Sequence, residues 1–168
     1  MSGPTLAPVA AQALCDEHDM VVIDMGGTTF DVSAIRSGTL IVTTEAMIND
    51  DLLGLPKIDV RSVGAGGGSI AWVDTGGLLC VGPKSAGAVP GPACYGRGGD
   101  QPTVTDANLV LGILDPDYFL GGRVTLDTDA ARAAILPIAG HIGLSVEEAA
   151  YAIHVTSNEN MIAAIEDI

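Results

Sequence analysis

The chain has 168 residues, a formal net charge of −14 and 48% hydrophobic residues, with a mean hydropathy of +0.40. That length allows one ordinary domain able to bury a real core, and the acidic balance excludes binding along a nucleic-acid backbone, which needs a basic face. Gly, Asp or Pro interrupts every apolar run before the roughly 20 residues of a membrane helix, and no basic segment ahead of an apolar core marks a secretory signal.

"SGPTLAPVAAQALCDEHD" opens the chain, and its SGP reads as a turn before an Ala-rich helix over 7–18. Strands follow at 20–24, 30–35 and 39–44, with "RSG" at 36–38 as the second turn. "KIDVRSVGAGGGSIAWVD" reads as a strand entering a glycine cluster and a strand leaving it, and "TGG" at 75–77 turns that strand into "LLCVG". Residues 82–104 hold Pro83, Pro90, Pro92 and Pro102 among several glycines and read as a long loop or lid. Helical signals resume with "TVTDANLVLGIL", capped at Thr105, and with "LDTDAARAAIL", capped at Asp127 and stopped near Pro137. The last helix opens with Ser145 and Glu148 at capping-box spacing and keeps its period to Ile168. Strands come first and helices later. With no stop signal at Ile168, the chain reads as cut from a longer one, and Met1 ahead of SGP as a start placed at a domain boundary.

"VVIDMGGTTFDVSAI" at 21–35 carries the chemistry. Four apolar residues run into Asp24, then Gly26 and Gly27, then Thr28 and Thr29, and the pattern becomes extended again at Phe30. The spacing fits a hairpin whose glycines accept positive φ and bring the backbone close to a ligand. The N–H groups of the glycines and threonines then form an anion-binding concavity, with the two hydroxyls at its rim. Asp24 and, seven residues on, Asp31 are the candidate carboxylates for Mg²⁺ (or Mn²⁺), a cation that prefers carboxylate and phosphate oxygens and would offset the acidity of the chain. A plain hairpin is the competing reading. A P-loop is excluded because no lysine follows a glycine at the required spacing. A dinucleotide fingerprint fits "GAGGGS" at 64–69 poorly, because "IAWVD" after it alternates like a strand.

With "VGAGGGSIAWVD", "VGPKSAGAVPGPACYGRGG" and "PTVTDANLVLGILDPDYFLGG" added, the chain resembles the hydantoinase/oxoprolinase family over almost its whole length. The family includes ATP-dependent N-methylhydantoinase, 5-oxoprolinase and the acetone carboxylase β subunit. The resemblance implies an α/β, ribonuclease-H-like domain of the actin-like ATPase class, and residues 1–168 as a central domain lacking the first phosphate hairpin and the adenosine motif. It implies ATP as the nucleotide, with Asp24, Gly26, Gly27, Thr28 and Thr29 at phosphate and metal. Gly66, Gly67 and Gly68 would form a close-approach loop with Ser69 as a donor. The reaction implied is ATP-driven opening of a cyclic amide, or carboxylation through a related carbonyl intermediate. The partners implied are the flanking domains of the same chain and a hydantoinase B-like subunit, in the cytoplasm, with neither nucleic acid nor membrane. The isolated chain is expected to be inactive and to bind ATP weakly. Arg61 and Ser62 stand where many members carry His-Thr, which leaves the substrate unassigned. The rival readings are an actin-like-fold sugar or acid kinase, and an interaction module for subunit assembly.

The remaining polar residues carry structural expectations. Asp106 reads as a helix cap ahead of a cleft role, and Lys84, Arg97, Asn158 and Asn160 as solvated surface. His18, His141 and His154 lack ligand-like spacing. Cys15, Cys80 and Cys94 fit reduced thiols, with no basic partner in sequence to activate Cys94. Trp72 and Tyr95 read as packing residues.

Overall fold

The computed structural model describes residues 2–44, 47–48, 51–52 and 54–168. The chain is mixed α/β with antiparallel sheets, and it divides into two units. The first unit comprises Met1–Asp24, Phe30–Ser62 and Ala163–Ile168; the second comprises Met25–Thr29 and Val63–Ile162.

The first unit opens with helix α1, Ser2–Leu14. The expected SGP turn is helix instead. Pro4 falls in the first turn, where its missing N–H has no intrahelical acceptor to lose. Strands β1 (Met20–Met25), β2 (Phe30–Arg36) and β3 (Thr39–Leu40) follow, and β2 is central. Its Phe30, Val32, Ala34 and Ile35 are buried, while β1 leaves Val21 and Ile23 exposed. Between β2 and β3, Ser37 and Gly38 both have positive φ, 51° and 71°, the conformation of a two-residue hairpin turn. The turn is tied down by Gly38 N–H to the His18 carbonyl (2.7 Å) and Ser37 N–H to Asp19 Oδ1 (2.8 Å). Short pairs then follow: β4 (Val42–Thr43) with β7 (Lys57–Ile58), and β5 (Met47–Ile48) with β6 (Asp51–Leu52). Strand β8, Val60–Val63, returns to pair with β2. The single strand expected over "KIDVRSV" is thus two strands, β7 and β8, because Asp59 leaves the first pairing and donates its N–H to the Ile41 carbonyl.

In the second unit, β9 (Ser69–Val73) and β10 (Leu79–Ser85) form an antiparallel ribbon, with Leu79 opposite Val73 and Val81 opposite Ala71. Asp74 shapes the hairpin by accepting the N–H groups of Gly76 and Leu78 on Oδ1. Against the ribbon pack α2 (Val104–Val110), α3 (Thr128–Ile142) and α4 (Val146–Glu166). Ala71, Val81, Val104, Ala107, Ile135, Ile138, Ala149 and Ile153 make one core. A smaller cluster joins Cys94, Leu109, Leu126 and Ala131, and Tyr95 packs there at 5.7 Å from Phe119.

Several expectations change here. The loop expected from residue 82 begins after Ser85, and a short 3₁₀ turn, Ala93–Tyr95, lies inside it. Helix α2 is capped by Thr103, not Thr105: Asp106 N–H donates to Thr103 Oγ1, while Thr103 N–H and Oγ1–H donate to Asp106. Helix α3 runs through Pro137 to Ile142. Pro137 and Ala133, whose carbonyl loses its partner, both lie on the exposed side, where that carbonyl is open to solvent. Asp127 caps α3 as expected, accepting Ala130 N–H at 2.9 Å. Ser145 and Glu148 form the expected capping box, and those hydrogen bonds hold the Glu148 carboxyl below its ordinary pKa. Trp72 is 45% exposed, since alternation along β9 turns Ser69 and Ala71 inward and Trp72 the other way. The expected surface asparagines are bonded: Asn158 Nδ2 lies 2.9 Å from His154 Nε2, and Asn160 donates to the Val81 carbonyl.

Candidate functional site

The turn at residues 26–29 closes with Gly26 N–H donating to the Thr29 carbonyl at 2.9 Å. Gly26, Gly27 and Thr28 are exposed. Neither Gly26 nor Gly27 has positive φ, so the expected left-handed turn is not what these glycines provide.

They provide a backbone-to-backbone contact. Gly67 N–H donates to the Gly26 carbonyl at 3.1 Å, and Gly68 N–H to the Gly27 carbonyl at 2.6 Å. Ser85 Oγ is a second donor to the Gly27 carbonyl, at 3.4 Å. The approach requires glycine on the second loop too. A Cβ on Gly66 would stand 2.6 Å from Thr28 N, and one on Gly68 would stand 2.8 Å from the Gly27 oxygen. Such distances are incompatible with any side chain unless the backbone moves.

This brace orients the turn. Both peptides, 26–27 and 27–28, are trans, and in a planar trans peptide C=O and N–H point in opposite directions. With both carbonyls drawn toward Gly67 and Gly68, the N–H groups of Gly27 and Thr28 face the other way. Neither donates to a backbone acceptor among the described residues. Two adjacent outward amides make a donor face suited to an anion.

The brace is itself held from behind. Thr105 donates both its N–H and its Oγ1–H to the Gly67 carbonyl, each at 2.8 Å. Ser69, fully buried, accepts Gly66 N–H at 2.8 Å and donates to the Gly64 carbonyl at 3.3 Å. Next to Thr105, the buried Asp106 accepts N–H groups from Ala93, Cys94 and Thr103. The capping role expected of Asp106 is present, and the same carboxylate also fastens the Pro/Gly loop to α2. Beside it the Cys94 thiol is pushed well above its ordinary pKa, first by burial and then by the Asp106 charge, so it stays protonated. Its own thiolate is not available as a nucleophile.

The residues expected at the site therefore separate. Gly27 and Thr28 present outward amides, whereas Gly67, Gly68 and Ser69 are engaged with protein acceptors and donors. Asp24, penultimate in β1, is exposed. Asp31 is buried and accepts a hydrogen bond from Ser62 Oγ, so of the two expected metal carboxylates Asp24 alone is open to solvent. Among the described residues no group of three or more His, Cys, Asp or Glu is placed to hold a metal by itself. Asp24 fits a cation that takes few protein ligands and keeps water and phosphate oxygens, as Mg²⁺ does. Sequence reasoning missed Ser85 and Thr105 as parts of the assembly. Their one sequence signal is a small hydroxyl residue within or beside a Gly/Pro-rich stretch, which specifies no partner.

A sequence model of the family described as Hydantoinase/oxoprolinase matches residues 1–168. Among curated proteins, the caprolactamase subunit alpha of Pseudomonas jessenii is 44% identical over 171 residues, which cover 99% of this chain and 25% of that protein. The crystal structure of the ATP-dependent caprolactamase from the same organism superposes with a TM-score of 0.84 at 43% identity, covering 98% of this chain and 24% of that one. The nucleotide-free structure of an acetone carboxylase superposes with a TM-score of 0.83 at 37% identity, covering 90% and 22%. The chain thus spans about a quarter of the length of these relatives.

Proposed function

The chain belongs to the hydantoinase/oxoprolinase family, and from that premise we propose that it is the phosphate-binding segment of a larger ATP-dependent enzyme. In this reading it is a central domain of ribonuclease-H-like, actin-like ATPase type, and further segments of the same protein complete the nucleotide cleft. The reaction is phosphoryl transfer from ATP, releasing ADP, to the carbonyl oxygen of a cyclic amide in the hydrolases or to the enolate oxygen of a ketone in the carboxylases. Water then attacks the phosphorylated amide carbon, opening the ring and releasing phosphate, whereas the enol phosphate is itself the carbon nucleophile that takes up a carboxyl carbon as its phosphate leaves.

The observation that carries the reading is the pair of outward N–H groups on Gly27 and Thr28, set by carbonyls pinned to Gly68 and Gly67. Phosphoryl transfer needs fixed donors and charge compensation more than side-chain chemistry, and fixed main-chain amides cost no reorganisation. The Thr28 hydroxyl adds a donor, and Asp24 holds the metal side of the nucleotide. Mg²⁺ (or Mn²⁺) supplies the positive charge that lets an acidic chain accept a polyphosphate. Gly66, Gly67, Gly68 and Ser69 support the site by holding the turn. Asp31 acts through Ser62 as a support within its own unit.

The first unit leaves Leu6, Leu14, Val21 and Ile23 between 54% and 84% exposed, which favours a covering by the rest of the protein or by a hydantoinase B-like subunit. No helix among the described residues is long and apolar enough to cross a membrane. The free thiols of Cys15, Cys80 and Cys94 fit the reducing cytoplasm.

Calorimetric titration of the full-length protein tests the reading. Mg-ATP is expected to bind, and Asp24→Asn to weaken it about tenfold by removing one charged ligand. Metal-free ATP should bind both proteins alike. Equal Mg-ATP affinity in the two proteins would remove Asp24 from the site.

A further inference from the structure

On the face of the β9–β10 ribbon that carries Ile70 and Trp72 lies a second concavity, of about 370 Å³, lined by these two residues with Gly82, Pro83, Lys84 and Gln101. We propose that it is a binding site for a small planar ring bearing an anionic substituent. The wall is aromatic and fixed: Trp72 Nε1–H donates to the Gly82 carbonyl at 2.9 Å, yet the residue stays 45% exposed. An indole pinned through its N–H offers a rigid apolar surface whose stacking costs little ordering entropy. Pro83 and Ile70 continue that apolar lining, and the volume falls in the range of small-molecule sites.

Lys84 sets the charge preference. The chain has seven Lys and Arg against 21 Asp and Glu, so cations are few. Arg132 is paired with Glu147, and Arg97 lies over the Tyr95 ring. Lys84 makes no ion pair among the described residues and lines the hollow instead. The one acid nearby by lining, Asp100, borders the adjoining cavity, with Gln101 and Ile70 shared between the two. Gln101 supplies an amide to a polar ring substituent. The site stands on the opposite strand face from Ser69 and Ala71 and does not depend on the nucleotide reading.

Trp72 is the sole tryptophan of the chain, so its fluorescence reports this hollow alone. The 168-residue chain, its fold verified by near-ultraviolet circular dichroism, is titrated with benzoate and with the isosteric neutral amide, benzamide. Both ligands are small enough that dissociation constants of order millimolar are expected. Benzoate should shift the Trp72 emission and bind about tenfold tighter than benzamide. Lys84→Met should abolish that preference and Lys84→Arg should keep it. The same ligand pair, followed by saturation-transfer NMR on the full-length protein and its Lys84→Met variant, should show the same loss of preference. Equal binding of the two ligands, an emission unmoved by either, or a benzoate preference that survives Lys84→Met would each overturn the proposal.

Discussion

The second unit contains two glycine-bearing bends that meet each other and do opposite work. At residues 26–29 the glycines are exposed, and a Cβ on Gly27 would meet nothing within 4 Å. At residues 64–68 a Cβ on Gly66 would enter the backbone of Thr28 and Gly27 at 2.6–2.7 Å. One bend faces outward and offers amides; the other fills the space behind it and consumes carbonyls. The same residue type thus serves access in one place and close packing in the other, and the difference is legible only from what surrounds each Cα.

That contrast is open to direct attack. The largest effect is expected from Gly66→Ala, which must push the turn off its brace. It should cost about 1–3 kcal/mol, as overpacking does, visible as a lower urea midpoint at unchanged slope, and Mg-ATP binding should weaken with it. Thr105→Val comes next. It removes the hydroxyl donor to the Gly67 carbonyl while the Thr105 N–H bond remains, for a loss of about 1 kcal/mol. Thr105→Ser should restore the midpoint, because the hydroxyl, not the methyl, is the relevant group. The smallest change in stability belongs to Gly27→Ala, within about 0.5 kcal/mol of the parent, since its φ is ordinary and its surroundings open. Nucleotide affinity should nevertheless fall, because the added methyl stands on the bend that presents the amides. A Gly27→Ala protein destabilised as strongly as Gly66→Ala would erase the distinction between the two bends.

Much of the local structure was readable before any coordinates. The period-2 apolar pattern located β1, β2, β9 and β10. Asp127 and the Ser145–Glu148 pair marked true helix starts because capping is a contact within three residues. Errors arose where a local rule met a non-local partner or an exposed environment. Pro137 breaks no helix because its lost hydrogen bond faces solvent. Thr105 is spared from capping because Thr103 caps α2 and leaves the Thr105 hydroxyl for Gly67, 38 residues away. Asp31 looked like a metal carboxylate by its spacing from Asp24, yet it is buried and bonded to Ser62, 31 residues on. Trp72 looked like core by residue type, but the parity of β9 puts it outside.

Composition, the strand–glycine–threonine pattern and the family motifs were enough to identify the family and to single out the bend proposed to contact phosphate, because both are written in short-range residue order. Which amides of that bend are free and which glycines are spent behind it could not be read there. Those assignments are set by hydrogen bonds between segments some 40 to 60 residues apart, and the orientation of a peptide plane depends on the partner that claims its carbonyl.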